Sequence, residues 1–269
     1  MSSIIIDPDE LEALRGQDDV VIVDLCQPGQ YVTAHIPQAR YLPYGLIVRS
    51  DMPRVGLLPY PSVFSRLMSN LGITAGSRVV AYDDEGGGCA ARLLWTLNAF
   101  GHTNASLVDG GIHSWINEGH ETADMPAPNP VTSDYEMHFN GNGVVDHDHI
   151  LDSLNDDRAG ILDARSAEEY QGKKRMAKRA GHIPGAKHFE WTDAMDRDNN
   201  MRILPEDQLK ERLDSLGLTP DKGIICYCQS HHRSAYSWVM LKHLGYEKVA
   251  GYPGSWSDWG NRSDSPIDT

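Results

Sequence analysis

Apolar residues in this chain fall mostly in short unbroken runs. "VVIVD" (20–24), "SRVVAYD" (77–83), "GILDA" (160–164) and "GIICYC" (223–228) are too short for core helices and too continuous for strands with one wet face. Such runs suit strands buried on both faces of a parallel sheet. Longer stretches with helical spacing lie between them, and this alternation predicts an α/β fold with helices on both sides of the sheet. Sheets of that kind place ligand sites at the carboxyl ends of strands, where the chain turns into a helix.

The pattern is written twice. "VVIVDLCQPGQY" (20–31) matches "AGILDARSAEEY" (159–170), with Asp24 against Asp163 at an offset of 139 residues. "HIPQA" (35–39) matches "HIPGA" (182–186) at 147. "VVAYDDEGGGCAARLLWTLNAFGH" (79–102) matches "IICYCQSHHRSAYSWVMLKHLGY" (224–246) with Asp83 against Cys228 at 145, and "DGGIHSW" (109–115) matches "PGSWSDW" (253–259) at 144. Four matches in one order predict two tandem copies of one domain, each a parallel sheet flanked by helices. The expected spans are 1–125 and 140–269. Between them Pro126, Pro128 and Pro130 forbid a continuous helix and make 126–139 an extended linker.

Each copy opens alike. Asp7-Pro8-Asp9-Glu10 before "LEAL" supplies a capping aspartate, a proline at the first helical position and acids in the first turn. Asp146-His147-Asp148-His149 before "ILDSL" plays the same part. Two histidines and two aspartates invite a metal reading, but a capped first turn accounts for them, and no metal is expected.

At 269 residues the chain suits two domains of ordinary size, and 40% hydrophobic with 23% charged residues is normal for a globular protein. The net charge of −14 and pI near 5.2 argue against nucleic acid or an anionic membrane as main partner. One dense basic stretch, "KKRMAKRA" (173–180), stands against this background as a solvated surface or a docking face. The N-terminal "MSSIIIDPDELEAL" lacks the basic then apolar order of a secretory signal, and no apolar run approaches the ~20 residues of a membrane span. Four cysteines, Cys26, Cys89, Cys226 and Cys228, do not make a disulfide scaffold, so a reducing cytoplasm is the expected compartment.

The chemistry concentrates in "YCQSHHRSAYSWVMLKHLG" (227–245). Gly223–Tyr227 reads as a strand and Arg233 or Ser234 to Leu244 as a helix stopped by Gly245, so Cys228 ends the strand and the loop after it curls into the first helical turn. Unpaired N–H groups of that turn and the helix dipole favour a thiolate there, and Arg233 adds a fixed cation. His231 and His232 add donors. Such a cradle suits the thiolate, an oxyanion substrate or the terminal sulfur of a persulfide, and it makes Cys228 a plausible nucleophile. Cys226 sits inside an apolar strand and reads as core; Cys26 and Cys89 read as packing residues. The spacing Cys226-x-Cys228 is not the C-x-x-C of redox or zinc sites.

The first copy is an internal control. It has Asp83 in place of Cys228, followed by the acidic "DEGGG", which reads as a shorter loop with neither thiol nor arginine. Arg165 of "DAR" is matched by Cys26 of "DLC". The first copy is therefore expected to be catalytically inactive, and Arg165, just past a strand end in the second, is expected either to hold a donor anion or to form a salt bridge.

These motifs resemble the rhodanese family of sulfurtransferases in its two-domain form with an inactive first domain. The resemblance covers nearly the whole chain and rests on "DAR" (163–165), "GHIPGA" (181–186) with its echo "AHIPQA" (34–39), "CQSHHRS" (228–234) and "GYPGSWSDWGN" (251–261). It implies covalent ping-pong catalysis without a cofactor: Cys228 takes the outer sulfur of a donor such as thiosulfate as a persulfide and passes it to a thiophilic acceptor such as cyanide. By the same resemblance Gln229, Ser230, His231, His232 and Arg233 form the loop that holds persulfide and donor. The loop departs from the common thiosulfate-using pattern, with Arg and Lys directly after the cysteine, and from the mercaptopyruvate pattern Gly-Ser-Gly-Val-Thr. It is similar to a bacterial thiosulfate sulfurtransferase variant with a Cys-Gln-Thr-His-His-Arg loop. Two other readings stand beside it. One is a sulfur carrier, loaded from a donor such as 3-mercaptopyruvate, with a protein acceptor as partner. The other is a cysteine phosphatase, against which the four residues between Cys228 and Arg233 fall one short of the Cys-x5-Arg cradle.

Overall fold

The computed structural model describes residues 3–269, so the first two residues of the N-terminal stretch lie outside the described residues. The chain forms two compact units, which split at Asn140/Gly141. Each also takes in a short piece from the other half of the sequence. Asp196–Ile203 belongs to the first unit and Val48–Leu58 to the second.

In the first unit five parallel strands lie in the order Ile5–Ile6, Ala105–Val108, Arg78–Tyr82, Val20–Asp24, Arg40–Tyr41. In the second, four parallel strands follow the same order: Val249–Gly251, Gly223–Tyr227, Ala159–Asp163, Lys187–His188. A single parallel bridge, Val144 to Gly251, stands where the first unit has its edge strand. The apolar runs are the central strands of both sheets, and Val21–Val23, Val79–Tyr82 and Ile224–Tyr227 are buried throughout. Residues 126–139 carry no regular element.

The repeated residues build the same core twice. Tyr82 donates its hydroxyl to Asp24, and Tyr227 donates its own to Asp163. Each phenol oxygen also accepts the N–H of the isoleucine in the "HIP" motif, Ile36 at 3.0 Å and Ile183 at 3.2 Å. His35 and His182 stack on Tyr31 and Tyr170 at 4.1 and 3.8 Å, with Nδ1 2.7 and 2.8 Å from the same tyrosines' carbonyls. The histidines of "HIPQA" and "HIPGA" are thus scaffold. Trp115 and Trp259 are fully buried, and each donates its indole N–H to a carbonyl, of Glu121 and Pro266, at 2.8 Å. Truncating either would cost about 3–5 kcal/mol.

Asp146 caps its helix as expected, accepting the His149 N–H at 3.0 Å. His147 is buried, with Nε2 2.9 Å from Ser265 Oγ and Nδ1 2.9 Å from Asp148 Oδ1. These contacts tie the helix start to the C-terminal segment. No helix among the described residues is long and apolar enough to cross a membrane.

Candidate active site

Cys228 directly follows the strand Gly223–Tyr227, and the helix Arg233–His243 begins five residues later, with Gly245 in the left-handed conformation after its end. The backbone of the cysteine itself is fixed by the short helix Ser255–Trp259. Its carbonyl accepts the Trp256 N–H at 2.9 Å, the Gln229 carbonyl accepts the Ser257 N–H at 3.0 Å, and the Cys228 N–H reaches Ser255 Oγ at 3.3 Å.

The Cys228 side chain is buried, and burial alone would push its thiol pKa up. The Arg233 cation, the Ser234 hydroxyl and the N–H groups of Ser234 and Ser230 outweigh it and bring the pKa down from the ordinary 9.0 to about 7. The other three thiols go the other way. Burial raises Cys226, and burial together with Asp24 or Asp83 raises Cys26 and Cys89.

The first copy shows what this cradle binds. Asp83 Oδ1 accepts the N–H groups of Glu85 at 3.0 Å and Gly87 at 2.7 Å, and Oδ2 accepts that of Ala90 at 2.9 Å. Burial and Glu85 nonetheless push Asp83 up to about 6. The matching N–H groups of the second copy belong to Ser230, His232 and Ala235. The same turn that carries an internal carboxylate in one copy therefore surrounds a sulfur in the other. The two loops have equal length, contrary to expectation: four residues lie between Asp83 and Gly88 and four between Cys228 and Arg233, where the helices begin. The extra residue lies at the far end of the first-copy helix, which runs for 12 residues against 11.

Arg165 is corrected by the structure. Its guanidinium is buried against Asp163, with contacts of 2.6–3.0 Å, donates to the Gly181 carbonyl at 2.7 Å, and lies 4.4 Å over the Trp256 ring. Of the two roles open to it, it takes the salt bridge, because the carboxylate of its own "DAR" motif lies two residues back and buried. Arg233 remains as the cation at the sulfur. Its guanidinium is gripped by Glu169 at 2.7 and 3.0 Å. Glu169 is buried, which would raise its pKa, yet Arg233 and Ser166 hold it down at about 2.

The structure brings Ser230, His231 and Arg233 around Cys228. His231 is buried in a left-handed conformation (φ 54°), and its Nδ1 lies 2.8 Å from Ser234 Oγ. Its ring thus meets the Ser234 hydroxyl, which helps to lower the Cys228 pKa. His232 occupies the helix N-cap with its ring 5.7 Å from that of Trp191. Gln229 turns away, donating its amide to the Met176 carbonyl at 3.2 Å.

Four residues of the site were not among those expected from the sequence: Glu169, Ser234, Ser255 and Gly56. The repeat carried a signal for two of them. Glu169 stands where the first copy has Gln30, and Ser255, at φ 49°, stands where it has Gly111. A left-handed serine costs about 1 kcal/mol or more, and here it sets a hydroxyl under the Cys228 N–H. Gly56 lies in the hairpin of Arg49–Asp51 with Arg54–Leu57, which belongs to the second unit. Its φ is +74°, and a Cβ there would fall 1.9 Å from the Ser230 carbonyl oxygen. Ser257 holds the same hairpin, accepting the Val55 N–H at 2.9 Å. Gly56→Ala must displace the Ser230 backbone, whose N–H faces the thiolate. We expect about a tenfold loss in thiosulfate:cyanide turnover, together with about 2 kcal/mol of stability in urea denaturation. Full turnover in that variant would show that Ser230 need not be held.

Comparison with known proteins bears on the family of the chain. The model of the rhodanese-like domain matches twice, over 7–118 and 146–262. A thiosulfate sulfurtransferase of Pseudomonas aeruginosa is 37% identical, with 98% of this chain and 97% of that one aligned. The sulfur carrier protein TtuD of Thermus thermophilus is 32% identical over 96% of this chain and 90% of its own length. Among solved structures, that of YnjE has a TM-score of 0.89 at 18% identity, covering 99% of this chain and 68% of that one, a likeness of fold. With two matched domains spanning most of its length, this chain belongs to the rhodanese family.

Proposed function

We propose that the protein is a thiosulfate sulfurtransferase in which Cys228 carries the sulfur. The observation that carries this reading is the buried thiol held near pKa 7 inside a ring of N–H groups. A group half ionised at neutral pH is at once nucleophilic and stabilised as an anion. The Cys228 thiolate attacks the outer sulfur of thiosulfate. A sulfur–sulfur bond forms to the cysteine, the bond to the sulfonate sulfur breaks, and sulfite leaves with the electron pair. Cyanide or another thiophilic acceptor then attacks the outer persulfide sulfur and restores the thiolate.

Ser230, Ser234 and Arg233 supply the donors for the persulfide anion and the incoming donor, His231 holds Ser234, and His232 starts the helix. Gln229 joins the cradle to the neighbouring loop. No cofactor enters, since the sulfur is carried covalently. The first copy serves as scaffold, because Asp83 already fills its cradle with a carboxylate. A thiol mechanism of this kind operates in a reducing compartment, for which the cytoplasm is the natural choice. Thiosulfate is favoured over longer keto acids by the compact cradle and by the name of the Pseudomonas relative. The test is the intact mass of the protein. It should gain one sulfur atom with thiosulfate and lose it with cyanide or a dithiol; a mass that never changes would sink the reading.

A further inference from the structure

The two repeat offsets that frame "KKRMAKRA" differ. The match before it has an offset of 139, and the match after it, beginning at His182, has 147. The thiol-bearing copy therefore carries an insertion of 147 − 139 = 8 residues between Tyr170 and His182, absent between Tyr31 and His35 of the first copy. Five of the 24 Lys and Arg residues fall in this insertion, with no Asp or Glu from 170 to 189. Lys173, Lys174, Arg175 and Lys178 are exposed, with the exposed side chain of Met176 among them.

The insertion is seated firmly. Arg179 turns inward and donates to the carbonyls of Ser265 at 2.8 Å and Trp259 at 3.3 Å. Its N–H binds the Gly260 carbonyl, and the Lys178 N–H binds Asn261 Oδ1, both at 3.0 Å. The Met176 carbonyl accepts the amide of Gln229, the residue next to Cys228. A rigid cationic ledge with an apolar tip thus abuts the sulfur loop on a chain of net charge −14.

We infer that this ledge docks an acidic protein that presents a thiol to the Cys228 persulfide. The inference rests on the persulfide reading above. The cations are spread over six residues of chain, too wide for one small anion to engage together. The rest of the acidic surface repels such a partner, so attraction is confined to this face and orients the encounter. In the transfer, the partner thiolate attacks the outer persulfide sulfur. A bond forms between them, the bond to Cys228 Sγ breaks, and Cys228 leaves as thiolate. Nothing is oxidised or reduced overall, since sulfane sulfur passes from one thiol to another.

The test compares wild type with a K173E/K174E/R175E/K178E variant, each first loaded with thiosulfate and weighed by mass spectrometry. Three acceptors are used: a synthetic single-cysteine peptide rich in Asp and Glu, its Asn/Gln counterpart, and glutathione. Wild type should transfer to the acidic peptide about tenfold faster than to the neutral one, and the preference should vanish at high salt. In the variant it should disappear or invert, with thiosulfate:cyanide turnover and glutathione rates unchanged. An equal preference in both proteins overturns the ledge. A matching loss with glutathione overturns protein docking in favour of small anionic thiols. Failure of wild type to load overturns the persulfide reading itself, and this inference with it, whereas failure of the variant alone overturns the ledge as a protein-docking face by giving its cations a part in loading.

Discussion

Cys228→Ala should abolish sulfur transfer, with thiosulfate:cyanide turnover falling on the order of 10⁴-fold or more, as for loss of a covalent nucleophile. Cys226→Ala, two residues away in the same strand, should keep near-normal turnover. The contrast follows from their surroundings. Cys226 is fully buried in the apolar strand, and burial, with the neighbouring charge of Cys228, pushes its thiol pKa up. Its loss leaves a small cavity, worth about 1–2 kcal/mol of stability. Cys228 is as deeply buried, but the cradle reverses the sign of its shift. Three readouts check this: turnover, the one-sulfur mass gain with thiosulfate, and iodoacetamide labelling at neutral pH. All three should vanish in Cys228→Ala and persist in Cys226→Ala. Persistent sulfur loading in Cys228→Ala would move the carrier to another cysteine and undo the proposed mechanism.

The strands, the two copies and the cysteine loop were legible because each is a local pattern: continuous apolar runs, recurring motifs, a polar break between strand and helix. The internal comparison also separated scaffold from chemistry, since "HIP" recurs in both copies and Cys228 does not. Arg165 was less legible. Its position past a strand end suits both an anion pocket and a salt bridge, and only the side-chain path onto Asp163 and over the Trp256 ring separates them. Glu169 and Ser255 were visible in principle as places where the copies differ, but they act through side chains whose partners lie 64 and 27 residues away along the chain. Gly56 could not be read at all. Its requirement comes from the Ser230 carbonyl, 174 positions further along the chain, and a glycine in a hairpin looks like any other.

Arg233→Gln should be the most damaging change short of the nucleophile itself. The guanidinium is the strongest of the influences that offset burial at the sulfur, so its removal should return the Cys228 pKa to its ordinary 9.0 or above. At pH 7 the thiolate fraction then falls roughly 50-fold. A more basic thiolate is also a better nucleophile, which restores nearly tenfold of that loss. Losing a charge-assisted hydrogen bond to the donor anion removes another ten- to hundredfold or so. The expected result is kcat/KM for thiosulfate lower by about 100-fold at pH 7, mostly through KM. The pH dependence separates the causes. In wild type, loading should rise with pH and level off above about 7, whereas in Arg233→Gln it should still be rising at pH 9. Stability should change as well. Glu169 is held at about 2 by Arg233, below its ordinary 4.5, so in wild type it stabilises the fold above pH 4.5 and loses that contribution as pH falls toward 2. The depressed thiol likewise stabilises the fold fully above pH 9 and loses that contribution as pH falls through 7. Arg233→Gln removes both and leaves a buried carboxylate without its cation, at a cost of about 3 kcal/mol near neutrality. Glu169→Gln/Arg233→Gln should recover much of that stability and none of the lost turnover. Recovery of turnover in the double variant would mean that Arg233 serves the fold alone, with the thiolate held by the N–H groups and Ser234.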